Sequence, residues 1–196
     1  MPEAPTGVLT PDETLVQRSR AGDGFAREEL FRRHWGVAYR VAFRLLGHDQ
    51  DALDAVQEAF LKAVTHLDDF DGRSGFRTWL LRIVTNAALD TGRRRGRRST
   101  LSLNTGDGGA PGTEPSRDDD PAGGLHREDL RRILDAALGR LSSPVRTAFV
   151  LFAEAGLSYK EIAAVQEIPL GTVMSRISAA RQKLQTIIDL DRIDGI

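Results

Sequence analysis

Between residues 99 and 124 the chain carries Gly106, Gly108, Gly109, Pro111, Gly112, Pro115, Pro121, Gly123 and Gly124. Asp118, Asp119 and Asp120 lie among them, and almost no large apolar residue follows Leu103. Such a stretch cannot bury enough apolar surface to offset the entropy of ordering it, so it reads as a flexible acidic linker. It splits the 196 residues into a block of about 90 and one of about 70. Two domains on a tether follow: a tail over 1–12, a first domain over 13–98, the linker over 99–124 and a second domain over 125–190.

Both blocks show helical periodicity and little alternation, and Ala, Leu and Arg are plentiful, so an all-α protein of two small helical domains is expected. In the first block Phe31, Trp35, Ala38, Ala42 and Leu45 form one stripe, closed by Gly47 as a C-terminal glycine. A second stripe runs through Leu53, Val56, Phe60, Val64 and Leu67, with Asp49 or Asp51 placed to cap its start. A third runs through Phe76, Trp79, Leu80, Ile83 and Ala87 into an arginine cluster, with Thr91-Gly92 expected to interrupt the helix first. The second block opens with Leu130, Ile133, Leu134, Ala137, Leu138 and Leu141. It restarts at Ser143-Pro144 for a helix over 145–155. Residues 158–165, a break at 166–169 and a helix over about 170–188 then give a helix-turn-helix layout.

The net charge of −1 conceals a sorting of signs along the chain. From His48 to Asp71 there are seven acidic residues against Lys62 alone, and from Gly72 to Arg98 eight arginines against Asp90 alone. The absence of cysteine excludes disulfides and thiolate zinc sites. Met1 to Gly7 lacks the layout of a signal peptide, and no apolar run approaches the roughly 20 residues of a membrane span. A cytoplasmic protein without membrane insertion is expected.

Three constellations carry chemistry. Ser158-Tyr159-Lys160-Glu161 has the form of a capping box and sets a short helix before a second one that begins near Gly171-Thr172. On that second helix Val173, Ile177, Ala180 and Leu184 keep apolar spacing. From Leu170 to Gln185 there is no acidic residue, and Arg176 and Arg181 can reach phosphate or a guanine edge. The alternative is a helical hairpin with a solvated basic face. Second, Arg93, Arg94, Arg95, Arg97 and Arg98 follow a helix that also offers Arg73, Arg77 and Arg82, interleaved with Phe70, Phe76 and Trp79. Such a mixture suits backbone phosphates and unstacked bases, while the arginine run alone could equally be a solubilising tail. Third, Asp54 and Glu58, with Gln57 at the border, make an acidic stripe. It is either a solvated face or a docking surface for a basic partner helix.

Several motifs together resemble one family. The segments Glu29-Leu30-Phe31-Arg32-Arg33-His34, Asp51-Ala52-Leu53-Asp54-Ala55-Val56-Gln57-Glu58-Ala59-Phe60, Phe76-Arg77-Thr78-Trp79-Leu80, Gly156-Leu157-Ser158-Tyr159-Lys160-Glu161-Ile162-Ala163 and Ile168-Pro169-Leu170-Gly171-Thr172-Val173 stand in the order seen in extracytoplasmic-function sigma factors. The resemblance covers both blocks. It implies a first domain that binds core RNA polymerase and the minus-ten element, and a second that reads the minus-thirty-five element by helix-turn-helix.

By the same resemblance, Asp54, Gln57 and Glu58 grip the clamp helices of the polymerase largest subunit, and the flap is a further contact. Phe70, Arg73, Phe76, Arg77, Trp79, Arg82, Asn86, Arg93 and Arg94 face the opened minus-ten strand, where a flipped base is captured. Gly171, Thr172, Ser175, Arg176 and Arg181 face duplex promoter DNA. The linker threads toward the polymerase active site, and an anti-sigma factor holds the protein inactive. No catalytic residue, metal or cofactor is implied.

The sequence departs from the family pattern at Met174, where a basic residue is usual, and at Glu167, where glycine is favoured. A left-handed backbone at Glu167 would then carry a strain of roughly 1 kcal/mol. Phe152-Ala153 replaces a more polar pair. Two other functions compete. A regulator with a sensor domain would not need Asp54 and Glu58, and an enzyme would use Asp49, Asp51, Asp54 and Glu58 as a metal cluster. The segment Asp69-Phe70-Asp71-Gly72 lacks the later oxygen ligands of a calcium loop.

Overall fold

The structure, a computed structural model, describes residues 10–102 and 133–193, with side chains placed over 10–97 and 133–187. Most of the expected tail, residues 103–124 of the expected linker and Leu130 lie outside the described residues. Among the described residues all regular structure is helical. The first domain holds α1 (Asp12–Arg20), α2 (Gly24–Leu46), α3 (Asp49–Thr65), a 3-10 turn (Leu67–Asp69) and α4 (Phe76–Ser102). The second holds α5, described over 133–139, then α6 (Ser143–Ala153), α7 (Tyr159–Gln166) and α8 (Leu170–Ile193).

α1 was not legible as a helix in the sequence. Asp12 and Glu13 in its first turn and Arg18 and Arg20 in its last complement the helix dipole. Leu15 and Val16 anchor it, and Asp12 Oδ2 lies 2.7 Å from Nε2 of the buried His34 on α2. α2 begins where Asp23 accepts a hydrogen bond from the Ala26 N–H at 3.0 Å, and it ends at Gly47 in the left-handed conformation.

The expectation that Asp49 or Asp51 caps α3 is corrected. The capping position belongs to His48, and both aspartates sit inside the first turn. There they favour the helix through its dipole instead of through a cap bond. The expected interruption at Thr91-Gly92 is absent as well, since α4 runs unbroken from Phe76 to Ser102 and takes the first four residues assigned to the linker. One glycine costs a helix only about 1 kcal/mol. Arg94 and Arg95 beyond it tie α4 to Glu58 and Asp51 of α3, at 3.2 and 2.7 Å.

The first core forms where α2, α3 and α4 pack together. Ala38, Ala42, Ala52, Ala55, Ala59, Ala63, Ala87 and Ala88 are fully or nearly fully buried, so the helix backbones approach closely around Leu30, Val41, Val56, Leu80, Leu81 and Val84. Two members of the apolar stripes, Trp35 and Val64, remain 38% exposed. In the second domain Leu151, Ile162, Val173 and Ile177 are buried at the crossing of α6, α7 and α8. Ala137, Leu138, Leu141, Ala180, Leu184 and Ile187 make a separate small cluster under α5.

The two domains touch. Leu151, Ile162, Val173 and Ile177 belong to one continuous apolar cluster with the first-domain core. Polar bonds frame the seam. Arg44 of α2 donates to Glu154 at 2.9 Å and also pairs with Asp135, Arg146 Nη1 donates to the Leu45 carbonyl at 3.1 Å, and Thr78 Oγ1 donates to Glu161 Oε1 at 3.0 Å. Burial works against the charge of Arg44, but the Glu154 and Asp135 carboxylates outweigh it and raise its pKa. No helix among the described residues is long and apolar enough to cross a membrane.

Candidate nucleic-acid interface

The acidic stripe lies on the outer side of α3. Asp54 and Gln57 are exposed, and Asp54 accepts a bond from Gln50 at 2.9 Å. Glu58 is half-buried because it turns toward α4. It pairs with Lys62 at 2.6 Å and with Arg94 at 3.2 Å. The Lys62 bond, against the opposing effect of burial and with help from Arg94, holds its carboxyl below the usual glutamate range. The docking candidate and the arginine run are thus joined by an ion pair, a link that sequence spacing could not display.

The loop between the 3-10 turn and α4 rests on an aromatic floor. The Phe70 ring is 5.9 Å from Phe76 and 5.4 Å from Trp79, and Phe76 lies 5.7 Å from Trp79. Phe70 and Phe76 are buried and Trp79 is half-buried, so of the three expected aromatics only Trp79 offers a ring to solvent. Arg20 of α1 fixes the loop, donating to the carbonyls of Leu67 at 2.8 Å, Asp68 at 3.2 Å and Phe70. Sequence reasoning missed Arg20, because its partners lie 47 to 50 residues away.

Arg73, Arg82, Asn86, Arg93 and Arg94 are exposed along the loop and α4. Most of these cations have acidic partners: Arg73 with Asp71 at 3.1 Å, Arg93 with Asp90 at 2.5 Å and Arg82 with Glu167 of the second domain at 3.3 Å. Arg77 is half-buried and donates to the Ala155 carbonyl across the seam.

In the second domain the capping box is complete. Ser158 Oγ accepts from the Glu161 N–H at 3.3 Å, and the Glu161 carboxylate accepts from the Ser158 N–H at 2.8 Å. The Ser158 hydroxyl and N–H lower the Glu161 pKa. α7 ends at Glu167 with φ 54°, so the backbone there is left-handed and the condition for a strained Cβ is met. α8 then presents Gly171, Ser175 and Arg181 to solvent, with Thr172 and Arg176 half-buried beside them.

The positive groups here rest on neutral partners. Arg176 donates to Gln166 Oε1 at 2.7 Å, and the Arg181 guanidinium lies 5.1 Å from the centre of the Phe152 ring. The aromatic that departs from the family pattern therefore supports a candidate DNA contact. Met174, 53% exposed, puts an apolar side chain on the outer face of α8, where the family pattern has a basic residue. Among the described residues no group of three or more His, Asp or Glu side chains is arranged to hold a metal ion.

Comparisons with known proteins agree over both domains. Residues 30–98 match the family model for Sigma-70 region 2, and residues 131–184 match that for Sigma-70, region 4. The chain is 38% identical over 183 residues to the ECF RNA polymerase sigma factor SigE of Mycolicibacterium smegmatis, covering 93% of this chain and 68% of that protein. It is 36% identical over 176 residues to the ECF RNA polymerase sigma-E factor of Escherichia coli, covering 88% and 92%. Among solved structures it is similar to CnrH in complex with the cytosolic domain of CnrY. The TM-score is 0.70 and the identity 29%, over 92% of this chain and 98% of that one. It is also similar to the sigma factor RpoE of Bartonella quintana in complex with the anti-sigma factor NepR. There the TM-score is 0.68 and the identity 27%, over 84% and 97%.

Proposed function

The chain belongs to the extracytoplasmic-function RNA polymerase sigma factors, and from that premise we propose how its surfaces divide the work of promoter-specific transcription initiation. The family is non-enzymatic and binds core RNA polymerase and promoter DNA. We place this chain with the polymerase in the cytoplasm.

In our reading Asp54, Gln57 and Glu58 dock on basic helices of the polymerase clamp. Trp79, Arg73, Arg77, Arg82, Asn86, Arg93 and Arg94 engage the opened minus-ten strand. Phe70 and Phe76, lying beneath the loop, hold it in shape for base capture. Gly171, Thr172, Ser175, Arg176 and Arg181 enter the minus-thirty-five groove, where side-chain donors read base edges and phosphates fix the register. The observation that carries this division is the segregation of charge. Exposed Asp54 and Gln57 stand on α3, whereas α8 is free of acid from Leu170 to Gln185.

Two contacts link these roles. Glu58 already holds Lys62 on one oxygen and Arg94 on the other, so a basic helix docking there competes with Arg94 for the carboxylate and frees it toward DNA. Arg77 and Arg82 are engaged by the second domain, so they reach DNA when the domains part. An anti-sigma factor, the kind of partner named for the Bartonella protein, would act by keeping such surfaces covered.

Run-off transcription with core polymerase on a promoter library tests the assignment. An Asp54→Ala, Glu58→Ala double variant is expected to lose core binding while the duplex affinity of the second domain is unchanged. Full transcription by that variant would refute the docking surface.

A further inference from the structure

α8 buries one side and exposes the other. Val173, Ile177, Ala180 and Leu184 are turned into the core. On the outer side Gly171, Ser175, Ser178, Arg181 and Gln182 are small or polar and exposed. Met174 is the exception there. It is 53% exposed, and Leu170, one turn before it, is 42% exposed. Two large apolar side chains thus stand in water at the start of the helix, while Val173 and Ile177 close the core beneath them.

The surroundings of this pair decide what covers it. No acidic residue lies between Leu170 and Gln185. Arg181, two turns after Met174, projects on the same side of the helix and rests 5.1 Å from the Phe152 ring centre. A surface of that sign suits a polyanion, and DNA is the polyanion that this family binds. In the major groove every base edge is polar, with one exception, the C5-methyl group of thymine. The residues that meet base edges lie near the start of a recognition helix, and Met174 opens the second turn of α8. Its unbranched thioether side chain is well fitted to follow a methyl group. A basic side chain in its place would meet phosphate, which is the same at every base pair.

We propose that Met174, flanked by Leu170, is a specificity-determining residue that packs on the C5-methyl group of a thymine in the minus-thirty-five duplex. The inference rests on the assignment of α8 to that groove and adds to it the base that one side chain reads. Met174 and Arg181 are about 10 Å apart along the helix axis. That is about three base-pair steps of roughly 3.4 Å, so the thymine belongs to a different base pair from any that Arg181 contacts.

The test uses the full chain assembled with core polymerase. Duplexes randomised over the minus-thirty-five element are first selected by binding. Each thymine of the selected duplex is then replaced singly by uracil, which removes the methyl group and keeps every hydrogen-bonding group. One replacement is expected to weaken binding about fourfold, which is what burying one methyl group contributes. Met174→Ala is expected to bind the thymine and uracil duplexes alike, whereas Met174→Leu, of similar volume, keeps most of the difference. Arg181→Ala binds more weakly overall and keeps the full ratio. If no uracil replacement weakens binding, or if Met174→Ala still discriminates, the proposal is overturned, while the groove assignment stands on the loss caused by Arg181→Ala. If Arg181→Ala and Met174→Ala both bind and select as the unaltered chain does, α8 does not face the duplex and both readings fall.

Discussion

The arginines of the two domains are held in different ways. In the first domain Arg73, Arg93, Arg94 and Arg95 pair with Asp71, Asp90, Glu58 and Asp51 of the same domain. In the second, Arg176 rests on an amide and Arg181 on an aromatic ring. Exposed ion pairs are worth about 0–1 kcal/mol each, so the first domain is not stabilised much by them. Their effect is to offset the positive potential of the first domain's arginines. Among the described residues Arg176 and Arg181 of α8 have no carboxylate partner. Their cores differ too. The first domain contributes all its buried apolar residues to one cluster that continues across the seam to Leu151, Ile162, Val173 and Ile177, whereas the second domain also keeps a small cluster of its own around Leu138 and Leu184.

Leu151→Ala gives the largest effect and probes that shared core. The side chain is fully buried, and the expected loss is about 2–5 kcal/mol, read by denaturant unfolding. Because the cluster is continuous, both domains should unfold in one transition that shifts as a whole. Two transitions, with the first unmoved, would show the cores to be independent. Next, Arg181→Ala should weaken duplex affinity in the holoenzyme by about 1–3 kcal/mol, while core binding stays intact. Arg73→Ala, whose cation is already paired with Asp71, should weaken binding of the opened minus-ten strand by less than that. Equal effects would erase the electrostatic contrast between the domains.

Glu167→Gly should stabilise the second domain by about 1 kcal/mol, because glycine adopts the left-handed backbone without strain and the exposed Arg82 pair contributes little. A thermal melt checks the sign. The smallest effect is that of pH. The Ser158 hydroxyl and N–H hold Glu161 below the ordinary glutamate value of 4.5, and Thr78 of the other domain assists. A depressed carboxyl contributes stability that is complete above 4.5 and is lost as pH falls through the lower folded value. Glu161→Gln should flatten that acid limb; a parallel shift of the whole curve would leave Glu161 no part in it.

Much of the local structure was legible because it depends on neighbours in sequence. The capping box at Ser158 and Glu161 and the glycine stop at Gly47 involve residues within a few positions. The helical stripes around Phe31, Val56 and Leu80 follow from period alone. The cap at α3 was misread because two aspartates near a helix start serve the dipole as well as they serve a cap. No break forms at Gly92 because one glycine costs a helix only about 1 kcal/mol, less than the burial of Leu80, Leu81, Val84 and Ala88 on the same helix supplies. In the candidate site the residue types were legible, but not the burial of Phe70 and Phe76. An aromatic in a loop reads alike whether its ring faces a base or the core.

The sequence by itself determined an all-helical chain in two blocks, the acid-free face of α8 and the alternation of charge, since all three are properties of residues near one another. The tertiary structure alone decided which charges are spent on one another, which aromatics are floor, and that the domains share a core. Arg44 meets Asp135 and Glu154, 91 and 110 residues away, and Arg94 meets Glu58, 36 away. No local pattern encodes such pairs, because they arise only when packing of apolar faces brings distant helices to one place.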